Sequence, residues 1–287
     1  LLRDLWPNDL GKGKKDTRTI ADLSAWEKMP SSYIDLSFWA DVVVDHAVHK
    51  VIGANGPRTP YALLWSPSLY PGTPTPPRRC SLIRLHGFLS SYCIRPLGTW
   101  TGKVADVKSA AQFVTLEGKG INEAFDPQLE NLFALSTLIH KSINDRSEPV
   151  RDTRATLNLR RRVFTRVNLT SDQSLTSVSL PAQDKAAMSA IEHDWRVGHR
   201  LSLGMQRDDG SICRAKEIVF AKGDFVEVSV YADIVVFVDT KTKTKRIDVQ
   251  FAPQEMIKLW SAKDARVREH RFRMKTSESD VSTCRRS

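Results

Sequence analysis

Cysteine is scarce in this chain and nowhere paired in sequence. Cys80, Cys93, Cys213 and Cys284 are the four in 287 residues, too few and too irregular for a disulfide framework, and their usage suits a reducing, intracellular compartment. Cys80, His86 and Cys93 are separated by five and six residues. Structural zinc takes cysteines two to four apart, so that one turn presents both sulfurs, and a fourth ligand is missing as well. No metal or other cofactor is expected.

Long apolar runs are also lacking. No stretch approaches the roughly 18–20 residues that a membrane-spanning helix requires, and the N-terminus alternates charged and apolar residues rather than forming a secretion signal. A membrane partner is therefore not expected. Leu1 stands where an initiator Met would, so the reading expects a fragment or a processed chain. Catalytic signatures are missing too: there is no Gly-x-Ser-x-Gly elbow, Walker loop, Gly-x-Gly-x-x-Gly or His-Glu-x-x-His. Gly118-Lys119-Gly120 follows an expected strand but lacks the rest of a phosphate loop, and reads as a tight turn. Catalysis is left to a site assembled from distant residues.

Acidic residues are outnumbered. Forty-three Lys and Arg face 33 Asp and Glu, for a net charge of +10 and a pI near 9.5. An anionic partner follows: nucleic acid, or an acidic protein. The hydrophobic share of 41% is ample for a core, which excludes wholesale disorder.

What is present is clearest near the C-terminus. In Asp224–Tyr231, Val226, Val228 and Val230 alternate with Phe225, Glu227, Ser229 and Tyr231; Ile234–Val238 is apolar throughout; Ile247, Val249 and Phe251 alternate again. Period-two patterns of β-branched and aromatic residues signal strands. The fold class expected is α+β: an N-terminal α/β portion, then a small antiparallel β-sheet or barrel with a basic tail. The boundaries are a loosely ordered arm at 1–30, an α/β domain at 31–146, a basic connector at 147–178, a β-rich domain at 179–260 and the tail at 261–287.

Within the α/β portion, Ser32 and Asp35 resemble a helix cap. Leu36, Trp39, Ala40, Val43, Ala47 and Val51 recur at helical steps, so a helix is expected up to Gly53. On it Asp41, Asp45 and His49 share one face, read as solvated rather than as a metal site. Residues 57–77 hold seven of the 14 prolines and read as an ordered loop, because proline removes a backbone donor. Strands are expected at 81–89 and 98–116. A helix follows from Asp126 as N-cap, burying Leu129, Leu132, Phe133, Ser136, Ile139 and Ile143.

Three basic elements stand out. Lys241, Lys243 and Lys245 alternate with threonines between two strands, followed by Arg246; in extended backbone such residues lie about 6–7 Å apart on one side, near the phosphate repeat of a nucleic-acid strand. The alternative is a solvated hairpin whose lysines block edge aggregation. Arg160, Arg161, Arg162 and Arg166 belong to a run of six arginines in sixteen positions, opposed by Asp152 alone. Arg271 and Arg273 lie in the tail. The expected function is non-catalytic binding of DNA or RNA through the phosphate backbone, inside the cell, with the nucleus as one compartment. A second reading is a protein-interaction or chromatin-reader-type module using Trp195, Tyr231, Phe237 and Trp260 of the β-domain. A third is the enzyme with a dispersed site.

Overall fold

A computed structural model describes residues 2–44, 52–53, 56–57, 59–69, 82–143, 149, 155–166, 180–197, 199–238 and 245–268. Lys241, Lys243, Arg271, Arg273, Cys80, Cys284, Asp45 and His49 lie outside the described residues, as do most of the tail and half of the proline-rich stretch.

In chain order the regular elements are α1 (Tyr33–Trp39), β1 (Ala40–Val44), β2 (Ile52–Gly53), β3 (Gly56–Pro57), β4 (Thr59–Trp65), β5 (Ile83–Cys93), β6 (Ala111–Glu117) and α2 (Asn122–Ser142). Then come β7 (Thr156–Arg162), β8 (Phe164–Arg166), α3 (Ala182–Met188), β9 (Trp195–Val197), β10 (Ser202–Gln206), β11 (Ile212–Arg214), β12 (Phe225–Val238) and β13 (Lys245–Trp260). The protein is α+β. Among the described residues nine strands form one mixed sheet, in the order β11-β10-β13-β12-β5-β6-β7, with β4 also on β12 and β1 on β4.

The C-terminal block is thus neither a small antiparallel sheet of its own nor a closed barrel. β10 runs parallel to β13, and β12 carries strands from both halves of the chain. Its two apolar runs are one strand of 14 residues. Val226, Val228, Val230, Ala232, Ile234 and Val236 are all buried on one face, the alternation continuing through Asp233 without a break. A strand this apolar must satisfy ladder groups on both edges away from water. β13 takes one edge along its whole length. β5 and β4 share the other, over 225–230 and 234–236 respectively.

Two local expectations change. The helix after Ser32 is capped as anticipated, since Ser32 Oγ accepts from the Asp35 N–H at 3.1 Å, but it ends at Trp39 and the chain continues as β1. Val42 to Val44 is a β-branched run, stiff at χ1 and suited to a pleated surface, and pairing with β4 along Ala40–Val44 outweighs the helical spacing. The Asp41 end of the supposed acidic ladder therefore sits on a strand. The proline-rich stretch likewise supplies a strand, β4, although proline was expected to forbid one. Pro60 pairs with Val235 of β12, while among the described residues the β1 ladder begins one residue later at Tyr61, so no described β1 residue faces the N–H that Pro60 lacks.

α2 begins four residues before Asp126 and buries Phe125, Gln128, Asn131, Leu132, Leu135, Leu138 and Ile139. Residues 98–110 are turns rather than the start of a strand. The N-terminal residues, expected as a loose arm, run through short 3-10 turns and send Trp6 into the core, 2% exposed. Its ring meets Phe225 edge-on at 4.8 Å, and Phe88 and Phe125 at 6.0 and 6.4 Å. Edge-to-face packing of this kind adds about 0.5–1.5 kcal/mol per pair beyond burial.

At the same end of β12, Asp224 is buried and anchors the C-terminal helical turn at 262–268. Its carboxylate accepts from the N–H of Ala221 and of Ala262, at 2.8 and 2.9 Å, and pairs with Lys258 Nζ at 2.8 Å. A second, smaller core joins Trp100, Val107, Val163, Phe164, Met188 and Ile191 beneath the β8–β9 pair. Among the described residues no helix is long and apolar enough to cross a membrane.

Candidate functional site

The arginine triplet lies on β7, the last strand of the sheet, and not in a loop. Alternation along a strand sends successive side chains to opposite faces. Leu157, Leu159 and Arg161 point inward, whereas Asn158, Arg160 and Arg162 are exposed. The triplet therefore divides. Arg161 is 6% exposed; its Nη1 donates to the Pro253 carbonyl of β13 at 3.4 Å and its guanidinium lies 5.5 Å from the centre of the Tyr231 ring. Burial pulls its pKa below the usual arginine value, with Tyr231 and Asp233 acting in the opposite sense. Arg161 is a structural tie between β7 and the β12–β13 pair, and the sheet curls to make it.

Arg160 and Arg162 share the outward face at alternate positions, opposite Phe113 and Ala111 of β6. Arg160 Nη2 donates to the Ser109 carbonyl at 3.1 Å. Arg166 is exposed on β8, where it pairs in register with Trp195 of β9. Among the described residues none of these three arginines forms an ion pair. Lys245 and Arg246 open β13, opposite Val238 and Phe237.

Two of the aromatic residues singled out for a reader, Trp260 and Tyr231, are engaged within the fold. Trp260 is 8% exposed; Arg268 stacks 3.8 Å from its ring centre, Lys14 lies 5.4 Å away, and its Nε1 donates to the Leu10 carbonyl. Tyr231 carries Arg161.

A polar constellation that periodicity did not reveal sits at the first half of β5. His86 of β5 and Glu227 of β12 are register partners. Their side chains meet, Nε2 to Oε2, at 3.0 Å. Among the described residues no strand covers the outer edge along this half of β5, the β6 ladder beginning only at Phe88. Gln128 of α2 takes its place: its Oε1 accepts the His86 backbone N–H at 2.7 Å and its Nε2 donates to the His86 carbonyl at 2.9 Å. Since both backbone groups of His86 turn toward Gln128, the His86–Glu227 pair is of the non-hydrogen-bonded kind, in which side chains approach most closely.

Burial pushes the Glu227 carboxyl up, but the bond from His86, with the charges of His86, Arg84 and Arg3, holds it below the ordinary glutamate value. Arg84 Nε stands 3.8 Å from Glu227 Oε1. A cavity of about 370 Å³ opens beside the pair, between β5, α1, α2 and the N-terminal turns. Its polar side holds Arg3, Arg18, Arg84 and Glu27 as well as the pair; its apolar side includes Leu23, Met29, Trp39, Leu85 and Leu132. In the sequence, Arg84 and His86 beside the apolar residues of β5 and Glu227 among the valines of β12 were the available signal.

Comparison with known proteins gives no match: no protein-family model, no curated protein and no solved structure resembles the chain closely enough to be counted.

Proposed function

We propose that the protein binds nucleic acid through the phosphate backbone, without catalysis, and that the outer face of β7 with β8 forms part of the contact surface. The observation that carries this reading is the placement of Arg160 and Arg162. They are exposed, two positions apart on one face and hence about 6–7 Å apart along the strand, and neither is neutralised by a carboxylate among the described residues. Arg166 is exposed on β8, which follows β7 after one residue. Arg offers a planar fork that matches phosphate oxygens and persists in its charge at any physiological pH. The net charge of +10 adds attraction at longer range. Arg161 takes no part, because its guanidinium is occupied inside the sheet.

The test is fluorescence anisotropy with mixed-sequence single- and double-stranded DNA and RNA over a salt series. Each phosphate contact contributes about −0.9 to the slope of log affinity against log salt on duplex DNA. Replacing Arg160, Arg162 and Arg166 together by Ala is expected to flatten that slope by about 2–3 and to weaken binding equally on all sequences. No binding at low salt, or an unchanged slope in the triple variant, removes this surface from consideration.

A further inference from the structure

Among the described residues, the outer edge of β5 lacks one hydrogen-bonded rung where it borders the cavity. Alternate residues of a strand turn their backbone N–H and C=O to opposite edges. Leu89 turns toward β12: its N–H donates to the Asp224 carbonyl at 2.8 Å, and its carbonyl accepts from the Gly223 N–H at 2.7 Å. Phe88, His86 and Arg84 therefore turn to the other edge. Phe88 pairs there with Glu117 of β6, and His86 is closed by the side-chain amide of Gln128 at 2.7 and 2.9 Å. The backbone N–H and C=O of Arg84 meet no partner among the described residues. The cavity runs along this edge, with residues 82–86 on one side and Gln128, Asn131 and Leu132 of α2 on the other.

Asn131, one helical turn beyond Gln128, lines the same space. It is 8% exposed, its side-chain amide forms no hydrogen bond among the described residues, and neither of its polar atoms is sealed off from solvent. An amide side chain, and a backbone N–H beside a backbone C=O, both call for a partner that brings donor and acceptor together. A carboxylate, a phosphate or an ether brings no donor. Charge selects nothing further, because Arg3 and Arg18 share Asp16 at 2.6 and 3.1 Å, and Arg84 and His86 share Glu227 at 3.8 and 3.0 Å. The remaining wall is apolar, with Met29, Leu85 and Leu132. From this we infer that the cavity binds a short neutral peptide as an added strand on β5. One ligand residue pairs with Arg84, its N–H donating to the Arg84 carbonyl and its carbonyl accepting from the Arg84 N–H. Its flanking amides turn to the opposite edge, toward Asn131, and its apolar side chain lies along Met29, Leu85 and Leu132. The site is separate from the arginine edge of β7 and does not depend on it.

N-acetyl-leucinamide is a suitable probe, titrated into the full chain labelled with ¹⁵N and ¹³C, with N-acetyl-leucine methyl ester and octan-1-ol as comparators. The amide is expected to bind saturably and to shift the Arg84 backbone N–H and the Asn131 side-chain N–H resonances, the latter assigned by their loss in Asn131→Leu. The methyl ester lacks the terminal N–H and should bind wild type about fivefold more weakly, the scale of one neutral hydrogen bond. In Asn131→Leu the amide and the ester should bind equally. Met29→Trp fills the cavity from its N-terminal wall and should abolish binding while leaving nucleic-acid affinity unchanged. If Asn131→Leu does not fold, Met29→Trp and the wild-type Arg84 shift decide the matter. The inference is overturned if octan-1-ol binds as tightly as the amide, if ester and amide bind wild type equally, or if the ester penalty persists in Asn131→Leu. It also fails if the amide binds Met29→Trp undiminished, or leaves the Arg84 N–H resonance in place.

Discussion

Among the places where a described strand of the sheet lacks a strand neighbour are the outer side of β7 and the first half of β5, and cationic residues at these two meet opposite fates. At β5 the charges are matched. His86 pairs with Glu227, Arg84 stands by the same carboxylate, Arg3 and Arg18 share Asp16, and Gln128 closes the backbone edge at His86. At β7 two of three consecutive arginines face outward with no carboxylate partner among the described residues, and the third is taken inside by Pro253 and Tyr231. A net charge therefore overstates what a partner can use. Availability is decided by alternation and by what stands opposite each side chain.

The largest loss is expected where a buried cation depends on one acid. Asp224→Ala leaves Lys258 without its partner and the N–H groups of Ala221 and Ala262 without an acceptor. Breaking a buried pair from one side costs about 3–5 kcal/mol, and the urea midpoint should fall accordingly with the slope unchanged. Within β7 the contrast is sharper, because chemically identical residues are compared. Arg161→Ala is expected to lower stability by about 2 kcal/mol through the lost bond and ring contact, measured by thermal unfolding. Arg160→Ala and Arg162→Ala should each stay within about 0.5 kcal/mol of wild type while reducing nucleic-acid affinity. Equal losses at all three positions would contradict the inward and outward assignment.

Acid sharpens the β5 side. Burial raises the Asp16 carboxyl, yet its bonds from Arg18 and Arg3 bring it down to about 2, and Glu227 is likewise held below its ordinary value. Unfolded Asp and Glu titrate near about 3.9 and 4.3. Where the folded value is the lower one, the stabilisation is fully present above the unfolded value and is lost as pH falls through the folded one. Wild-type stability should therefore decline between about pH 5 and pH 2. In Asp16→Asn with Glu227→Gln the decline should be shallower, the variant being weaker at pH 7 and converging on wild type in acid. The smallest effect belongs to Asn158→Ala, exposed on β7 between the inward leucines, which should change stability by less than about 0.5 kcal/mol.

Local pattern made much of this architecture legible. The alternating valines of β12, the Ser32 cap and, in α2, the burial of Leu132, Ile139 and Ile143 follow from periods of 2.0 and 3.6 and from capping chemistry, whereas Leu129, Phe133 and Ser136, expected on the same stripe, are half-buried. Where two periods competed, local reading failed: Leu36, Trp39, Ala40 and Val43 fit a helix, but β4 supplies a ladder that the helix cannot use. Pro60 misled for the same reason, since whether a missing N–H matters depends on which neighbour is present. The arginine triplet was legible as charge. Its division into one buried and two exposed members needed the knowledge that 156–162 is a strand, and of which face the core lies on.

The sequence alone determined composition, charge, the strand-forming periods and the helix signals, because these rest on residues within a few positions of one another. Only the tertiary structure decided that strands from both halves share one sheet, that Arg161 turns inward, and that His86 meets Glu227 across a separation of 141 residues. The reason is physical. Period two specifies which side chains share a face, but not which face meets the core, nor which strand lies alongside; those follow from edge pairing and burial between segments far apart in the chain.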